Sequence, residues 1–418
     1  MIGLVVSTKV FFHNPIDKKG VPFVILIVFL FFEYLRIQDA MLPFLAPLKI
    51  PMFLLIGLFF VLCKKFNLLK KDLFFKCIVV LILEMAIWIP FAVNGHFAYG
   101  TTLTMFMTMI SMFAMIVIID DENKLISVIN YWVIINFILA LWVITHGGKG
   151  PGGFVADEND VCVVLVTAFP LAFCLARNKS RSKLIKAFYY IICFSIAVAV
   201  VFTSSRGGFL GFVAMVLMML WYSQKKWRNI FLMITLIGVL IPAVISFLPE
   251  GYVDDMESIS DTEDNTRNLR LLHWTTAWEI LKDNPVFGIG PGNYPWRSHE
   301  YFHKSYYYDP NARNRSARQS HSLYFTLIPE LGSVGIILFF LIFTVLIARL
   351  KSNNGSYEQL QPLKFSLIAA LAGIFISGAF ISILYYPILW HFLGLSLCTL
   401  NTEGGQSEAQ ATNAIPRA

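Results

Sequence analysis

The sequence predicts an all-α polytopic membrane protein with about 12 transmembrane helices and one long outer loop that carries amphipathic helices. Composition is the first reason. Of 418 residues, 57% are hydrophobic, 14% are charged and 38 are Phe, and the mean hydropathy is +0.67, far from the balance of a soluble domain. The second reason is a series of apolar runs of membrane length, since roughly 20 apolar residues cover the ~30 Å of hydrocarbon in a bilayer. The third is that polar residues concentrate in one stretch, from about Pro249 to His321.

In chain order the expected spans are 21–37, 48–63, 74–94, 101–119, 125–145, 157–176, 185–204, 207–222, 229–248, 322–348, 363–384 and 386–400. Helices are expected throughout, because unpaired backbone groups cannot be left in lipid. The organisation that follows is an N-terminal bundle over 1–248 (about nine spans), an outer loop over 249–321, C-terminal helices over 322–400 (about three spans) and a small, polar, disordered tail over 401–418. Lys18 and Lys19, Lys64 and Lys65 with Lys70 and Lys71, Arg177 to Lys186, Lys225 and Lys226 with Arg228, and Arg349 with Lys351 occupy alternate connections. By the positive-inside rule that side is the cytoplasm, which puts both termini there and the 249–320 loop outside; the acidic connection Asp120 to Lys124 weighs little in the rule. The net charge of +7 is therefore a topological signal, and the expected partners include membrane lipids and exclude nucleic acid. Met1 to Lys19 lacks the pattern of a cleaved signal. The 6 Cys lie in or beside apolar runs without disulfide or zinc spacing, so buried inert thiols are expected.

Charges that the topology rule leaves unexplained are the candidates for chemistry. Arg36 closes the first span and Lys49 opens the second between Pro47 and Pro51; each either snorkels to the interface or faces a ligand. Arg206 sits in Thr203-Ser204-Ser205-Arg206-Gly207-Gly208, where glycines bring two helix ends together and the amides of the following helix favour an anion. In the outer loop a helix is read over Arg270–Asp283, with Leu271, Trp274, Ala277, Trp278 and Leu281 as its apolar face. Arg267 and Arg270 stand at its start. A cation there opposes the helix dipole and calls for an anionic partner, either Asp261, Glu263 and Asp264 or a substrate phosphate.

The glycines of Gly288-Ile289-Gly290-Pro291-Gly292 read as a turn after that helix. They are no dinucleotide fingerprint, since no strand precedes them and Pro291 interrupts them. Arg318 leads into Ser320-His321-Ser322, where His321 stands at the mouth of the bundle on the side of the arginines, as a polar cap, a base or a phosphate donor. In the other outer glycine-rich run, Gly147 to Asp160, the spacing is not that of a nucleotide loop, and Asp157-Glu158-Asn159-Asp160 is expected to cap the next span or face a sugar. His273, His299 and His303 show no metal spacing, and nothing pairs Asp254 and Asp255 into a divalent site, so no metal is expected. Glu33 and Glu84 are read as the only acidic residues within the spans, and no internal repeat is visible; both count against a transporter, the non-enzymatic alternative.

Taken as a set, TSSRGGFLGF, Arg270 and Trp274 followed by NPVFGIGPGNY, HSLYFTLIPELGSVGIILF, and GFVADENDVCVVLVTAFPLA resemble the signatures of the O-antigen ligase/polymerase superfamily, integral-membrane C-type glycosyltransferases of bacterial polysaccharide export. The resemblance covers about residues 145–345. It implies transfer of a glycan from an undecaprenyl-diphosphate-linked donor to an acceptor hydroxyl, on lipid A-core or another glycan, at the periplasmic face of the bacterial inner membrane. It implies no metal, nucleotide sugar or other cofactor. It further implies that Arg206 and Arg270 engage the lipid diphosphate and that His321 is the essential histidine, as base or orienting group; Arg36 resembles a further basic residue near the first span. The catalytic candidates are thus His321, Arg270 and Arg206, with Arg36, Arg267, Trp274 and Arg318 as substrate-binding candidates. Within the superfamily a ligase is the first expectation and a repeat-unit polymerase the alternative.

Overall fold

The computed structural model describes residues 20–70, 72–223, 227, 265–310, 318–352 and 360–413, with backbone alone at 265–267 and 404–413. Among the described residues the regular elements are all helical: α1 (Val21–Leu35), α2 (Ile50–Lys65), α3 (Leu73–Trp88), α4 (Gly95–Ile118), α5 (Glu122–Thr145), α6 (Glu158–Arg177), α7 (Lys183–Phe202), α8 (Arg206–Trp221), α9 (Asn265–Asp283), α10 (Tyr294–Tyr301), α11 (Leu323–Lys351), α12 (Gln361–Gly378) and α13 (Pro387–Asn413), with short 3-10 and π turns between some of them. Seven helical stretches, α2 continued to Leu68, α4, α5, α6, α7, α11 and α12, are long and apolar enough to cross a membrane, and α1 and α8 are shorter apolar helices. The chain is an integral membrane protein. The expected span at 229–248 lies outside the described residues; each of the other expected spans coincides with a helix.

Short polar residues set where these helices begin. Asp72, Asn94, Asp121, Asp157, Ser182, Ser205 and Ser322 each stand at an N-cap and accept a backbone N–H of the first turn, satisfying donors that lipid could not. The expectation that Asp157 caps the helix after the glycine-rich run is met, with Oδ1 accepting from Asn159 N at 2.9 Å.

Helix α6 is the centre of the bundle: Val161, Cys162, Val163, Val164, Leu165 and Val166 are all fully buried, the all-round burial of a helix enclosed by others. It packs against α5, α7, α8 and α12. Small residues let α6, α8 and α12 approach closely, as in other helix pairs inside membranes. A Cβ on Gly208 would lie 2.3 Å from Cys162 Sγ, and one on Gly211 would lie 1.8 Å from Ser377 Oγ. Helix α2, by contrast, exposes Met52, Phe53, Ile56, Phe59 and Phe60 and forms a rim.

Helix α11 is broken. Gly332 has φ 56° and ψ −158°, a conformation essentially restricted to glycine. The segment after α9 fills the break: Ile289 N donates to Pro329 O at 2.9 Å, Gly290 N to Glu330 O at 3.0 Å, Ser333 N to Pro285 O at 2.9 Å and Val334 N to Val286 O at 3.1 Å. The backbone groups freed by the break are therefore paired within the protein, as irregular backbone inside a membrane bundle requires. The same segment docks on the α3–α4 hairpin, where Asn94 N donates to Asn293 Oδ1 at 2.8 Å.

Three details differ from the sequence expectation. The expected spans hold further acidic residues, Asp157, Glu158 and Asp160 at the start of α6 and the buried Glu330; the single charge of Glu330 is inconspicuous in the long apolar run that follows His321. The last helix continues past 400 to Asn413, and near its position 400 Lys364 Nζ meets Glu403 Oε2 at 2.9 Å and Ser352 O at 2.8 Å. Finally, α9 begins at Asn265 instead of Arg270.

Candidate functional site

The earlier start of α9 moves Arg270 out of the first turn, so a dipole penalty no longer bears on it. The buried face also differs from the expected one. Leu272, His273, Thr276, Ala277 and Ile280 face inward, while Trp278 is exposed. The apolar pattern misleads here because two polar residues, His273 and Thr276, belong to the buried face, and His273 has a partner waiting for it. The Tyr294 hydroxyl donates to His273 O at 2.8 Å and stands 3.0 Å from His273 Nδ1, which fits an Nδ1–H tautomer donating back to the hydroxyl oxygen. Trp274, on the other side, stacks on Phe325 at 5.0 Å between ring centroids, and its Nε1 donates to Ser320 O at 3.2 Å.

That last bond anchors the residue beside His321. Ser320 and Ser322 are both buried; Ser320 Oγ pairs with Thr326 Oγ1 at 2.9 Å, and Ser322 N donates to Ser382 Oγ at 3.2 Å. Between these fixed neighbours His321 takes a left-handed backbone, φ 49°, which carries strain for a residue with a side chain. The residue itself is exposed. Protein packed against the ring, and then the positive charges of Arg270 and Arg318, hold its pKa below the ordinary imidazole value, against an opposing pull from Asp157. Helix α9, the Arg318 segment and the start of α6 therefore converge on one imidazole.

Arg206 joins the same rim. Ser205 caps α8 through Gly208 N at 3.1 Å and donates from Oγ to Asn159 Oδ1 at 2.7 Å, while Asn159 Nδ2 donates to Asp157 Oδ1 at 2.9 Å. The starts of α6 and α8 are thus tied together next to Arg206. On its other side Gly207 abuts Phe380, whose Cβ would lie 2.7 Å from an added methyl, and Phe380 in turn meets Trp274 at 6.1 Å. Gly207 and Ser320, the neighbours in sequence of Arg206 and His321, are thus connected through Phe380 and Trp274.

Arg36 lies in a separate set of contacts. It also has a left-handed backbone, φ 47°, and its guanidinium lies against Gly153, where an added Cβ would fall 1.9 Å from Nη2. Asp39 Oδ2 stands 3.8 Å from Nε, and the Phe154 ring is 5.9 Å away. Phe154 packs on Tyr386 at 5.9 Å, and Tyr386 stands near Asp160 at the start of α6. The glycine-rich run is therefore packed against side chains and backbone and is not an open cradle. Lys49 is exposed at the start of α2. The side chain of Arg267 and the residues Asp254, Asp255, Asp261, Glu263 and Asp264 lie outside what is described. Tyr294, Asn293 and Glu330, which help hold the site together, carry no signal in the sequence pattern, and of the supporting residues only the serines that flank His321 are marked there.

The buried His273 makes the outer segment acid-sensitive. Burial foremost, with help from the neighbouring His321 and Arg318, depresses its pKa to about 4. A depressed folded-state value means that the unfolded chain takes up the proton first. The contribution of His273 is thus complete above about pH 6.5 and is lost as pH falls through 4, an effect on the order of 3 kcal/mol. Hydrogen-exchange protection factors of 268–283, corrected for the slower intrinsic exchange in acid, are expected to fall on acidification over that window, and His273→Phe is expected to flatten the dependence.

Residues 191–340 match the family model described as O-Antigen ligase. That segment runs from within α7 into α11 and includes Arg206, Arg270, Arg318, His321 and Glu330, but not Arg36. No curated protein matches the chain.

Proposed function

We propose that this chain, a member of the O-antigen ligase superfamily, transfers a glycan from undecaprenyl diphosphate to an acceptor sugar hydroxyl, foremost on lipid A-core, at the periplasmic face of a bacterial inner membrane. The observation that supports this is the family match over 191–340, which spans Arg206, Arg270 and His321, together with the bonds that tie the start of α8 to α6 and α9 to the residue beside His321. The alternate basic connections support about twelve spans with both termini cytoplasmic and these residues outside.

In the reaction the acceptor oxygen forms a bond to the anomeric carbon as the bond from that carbon to the diphosphate oxygen breaks, and the electron pair leaves with the diphosphate. Charge therefore grows on phosphate oxygens. Arg206 and Arg270 meet it with permanently charged, bidentate donors, which gain strength where water is scarce. His321 takes the hydroxyl proton, and its depressed pKa keeps it neutral and ready to do so at neutral pH. Arg318 and Arg36 extend the positive rim toward the glycan, and Trp274 fixes the His321 segment through Ser320.

Purified protein given undecaprenyl-diphosphate oligosaccharide, with lipid A-core in one reaction and no other acceptor in a second, tests the reading. Transfer to lipid A-core that survives EDTA is the expected result. A ladder of longer carrier-linked glycans in the second reaction makes the protein a polymerase. Donor binding with neither product contradicts the proposal and favours a transporter.

A further inference from the structure

The turn after α9 and the break in α11 meet around one carboxylate. Glu330 is 2% exposed. Its Oε1 accepts from Tyr294 N at 3.0 Å, and its Oε2 accepts from Gly292 N at 2.7 Å and from the Tyr385 hydroxyl at 2.7 Å. A buried carboxylate is tolerated only when donors are arranged around it, and here they come from two segments distant in sequence. Glu330 touches none of the candidate catalytic side chains, so its conspicuous cost needs another explanation.

The bonds lead to the site on both sides. Through Tyr294, whose hydroxyl holds both the backbone carbonyl and the imidazole of His273, the carboxylate reaches α9 less than one turn from Arg270. Through its own helix it reaches the segment that begins with His321. The second fastening of α9, Trp274 Nε1 to Ser320 O, lies beside His321 itself. Trp274 fixes one side of α9 against the start of α11, and the Glu330–Tyr294–His273 chain fixes the buried side, in addition to the backbone bonds that hold the following turn in the break.

We propose that Glu330 is a positioning residue that holds α9, and with it Arg270, in register with His321. The consequence for transfer rests on the function proposed above; the positional claim does not. Glutamine keeps the size of the side chain but not its bonding. Whichever way the amide sits, its NH2 faces the N–H of either Gly292 or Tyr294, donor against donor. Tyr385→Phe removes a single donor and leaves the packing in place.

The test follows the His321 ring by NMR of the full-length protein with 13C-labelled histidine in detergent, without substrate, the signal being assigned by its loss in His321→Gln. The groups acting on that ring are Arg270 on α9, Arg318 in the preceding segment, Asp157 at the start of α6 and the neighbouring His273. In Glu330→Gln, and to a smaller extent in Tyr385→Phe, the His321 midpoint is expected to move up toward that of free imidazole, about 6.5. Transfer is expected to fall about 100-fold in kcat for Glu330→Gln, the scale of an ångström-sized misplacement, with acceptor KM little changed. An unmoved His321 midpoint in both variants overturns the proposal, even if they melt earlier or lose activity, because Glu330 is then only structural. If Glu330→Gln does not fold, the Tyr385→Phe titration decides alone. A shifted midpoint in a protein whose wild type transfers no glycan leaves the positional claim standing and removes the proposed function.

Discussion

Replacing His321 by alanine is expected to lower glycan transfer about 1,000-fold, the scale of losing a well-placed general base, while donor binding persists. His321 is held for this task by buried serines on both sides and by a strained backbone, so the substitution removes the imidazole without a core side chain. Arg270→Ala is expected to cost about 100- to 1,000-fold, the scale of one lost contact to developing charge, and Arg270→Lys is not expected to restore it, because an ammonium lacks the planar fork. The pH dependence ties the two together. A base acts when neutral, and the His321 pKa lies below the usual imidazole value; activity is therefore retained below pH 6.5 and is lost only as pH falls through the depressed value. Removing the Arg270 charge raises that value, so the acid limb of kcat/KM measured on residual activity moves to higher pH. An acid limb that stays in place in Arg270→Ala contradicts the pairing.

Gly332→Ala is expected to be more damaging than any surface change, destabilising the protein by at least about 3 kcal/mol. The backbone there, φ 56° and ψ −158°, excludes a side chain on local grounds. A Cβ would in addition lie 2.5 Å from Gly288 N and 2.6 Å from Val286 O, so the inserted turn would be pushed out of the break and the freed backbone groups of Pro329–Val334 would lose their partners. A large fall in thermal unfolding temperature in detergent, with rapid exchange in 285–292, is the expected result. A variant as stable as wild type contradicts the account of the break.

The bundle was legible in the sequence because membrane length and apolar continuity are imposed by the bilayer, and polar caps mark the ends. Helix α9 was legible only as a helix. Its buried face carries His273 and Thr276, whose acceptance depends on Tyr294 and the turn, and no periodicity shows a partner that distant in sequence. Arg206 and His321 stood out as polar residues in positions that topology did not need. Glu330 did not, because its meaning lies in three donors supplied by Gly292, Tyr294 and Tyr385. The glycines of the turn are legible as a turn, yet what makes them necessary is close approach to α11, α3 and α4, a property of the assembled bundle.

The central claim is that a lipid-linked diphosphate sits between Arg206 and Arg270 under His321. The most direct measurement is a cryo-electron microscopy structure of the full-length protein with undecaprenyl-diphosphate oligosaccharide bound. The account predicts phosphate oxygens within hydrogen-bonding distance of both guanidinium groups and the anomeric carbon turned toward the His321 ring. Diphosphate density anywhere else on the outer face, with Arg206 and Arg270 making no contact to it, contradicts the account.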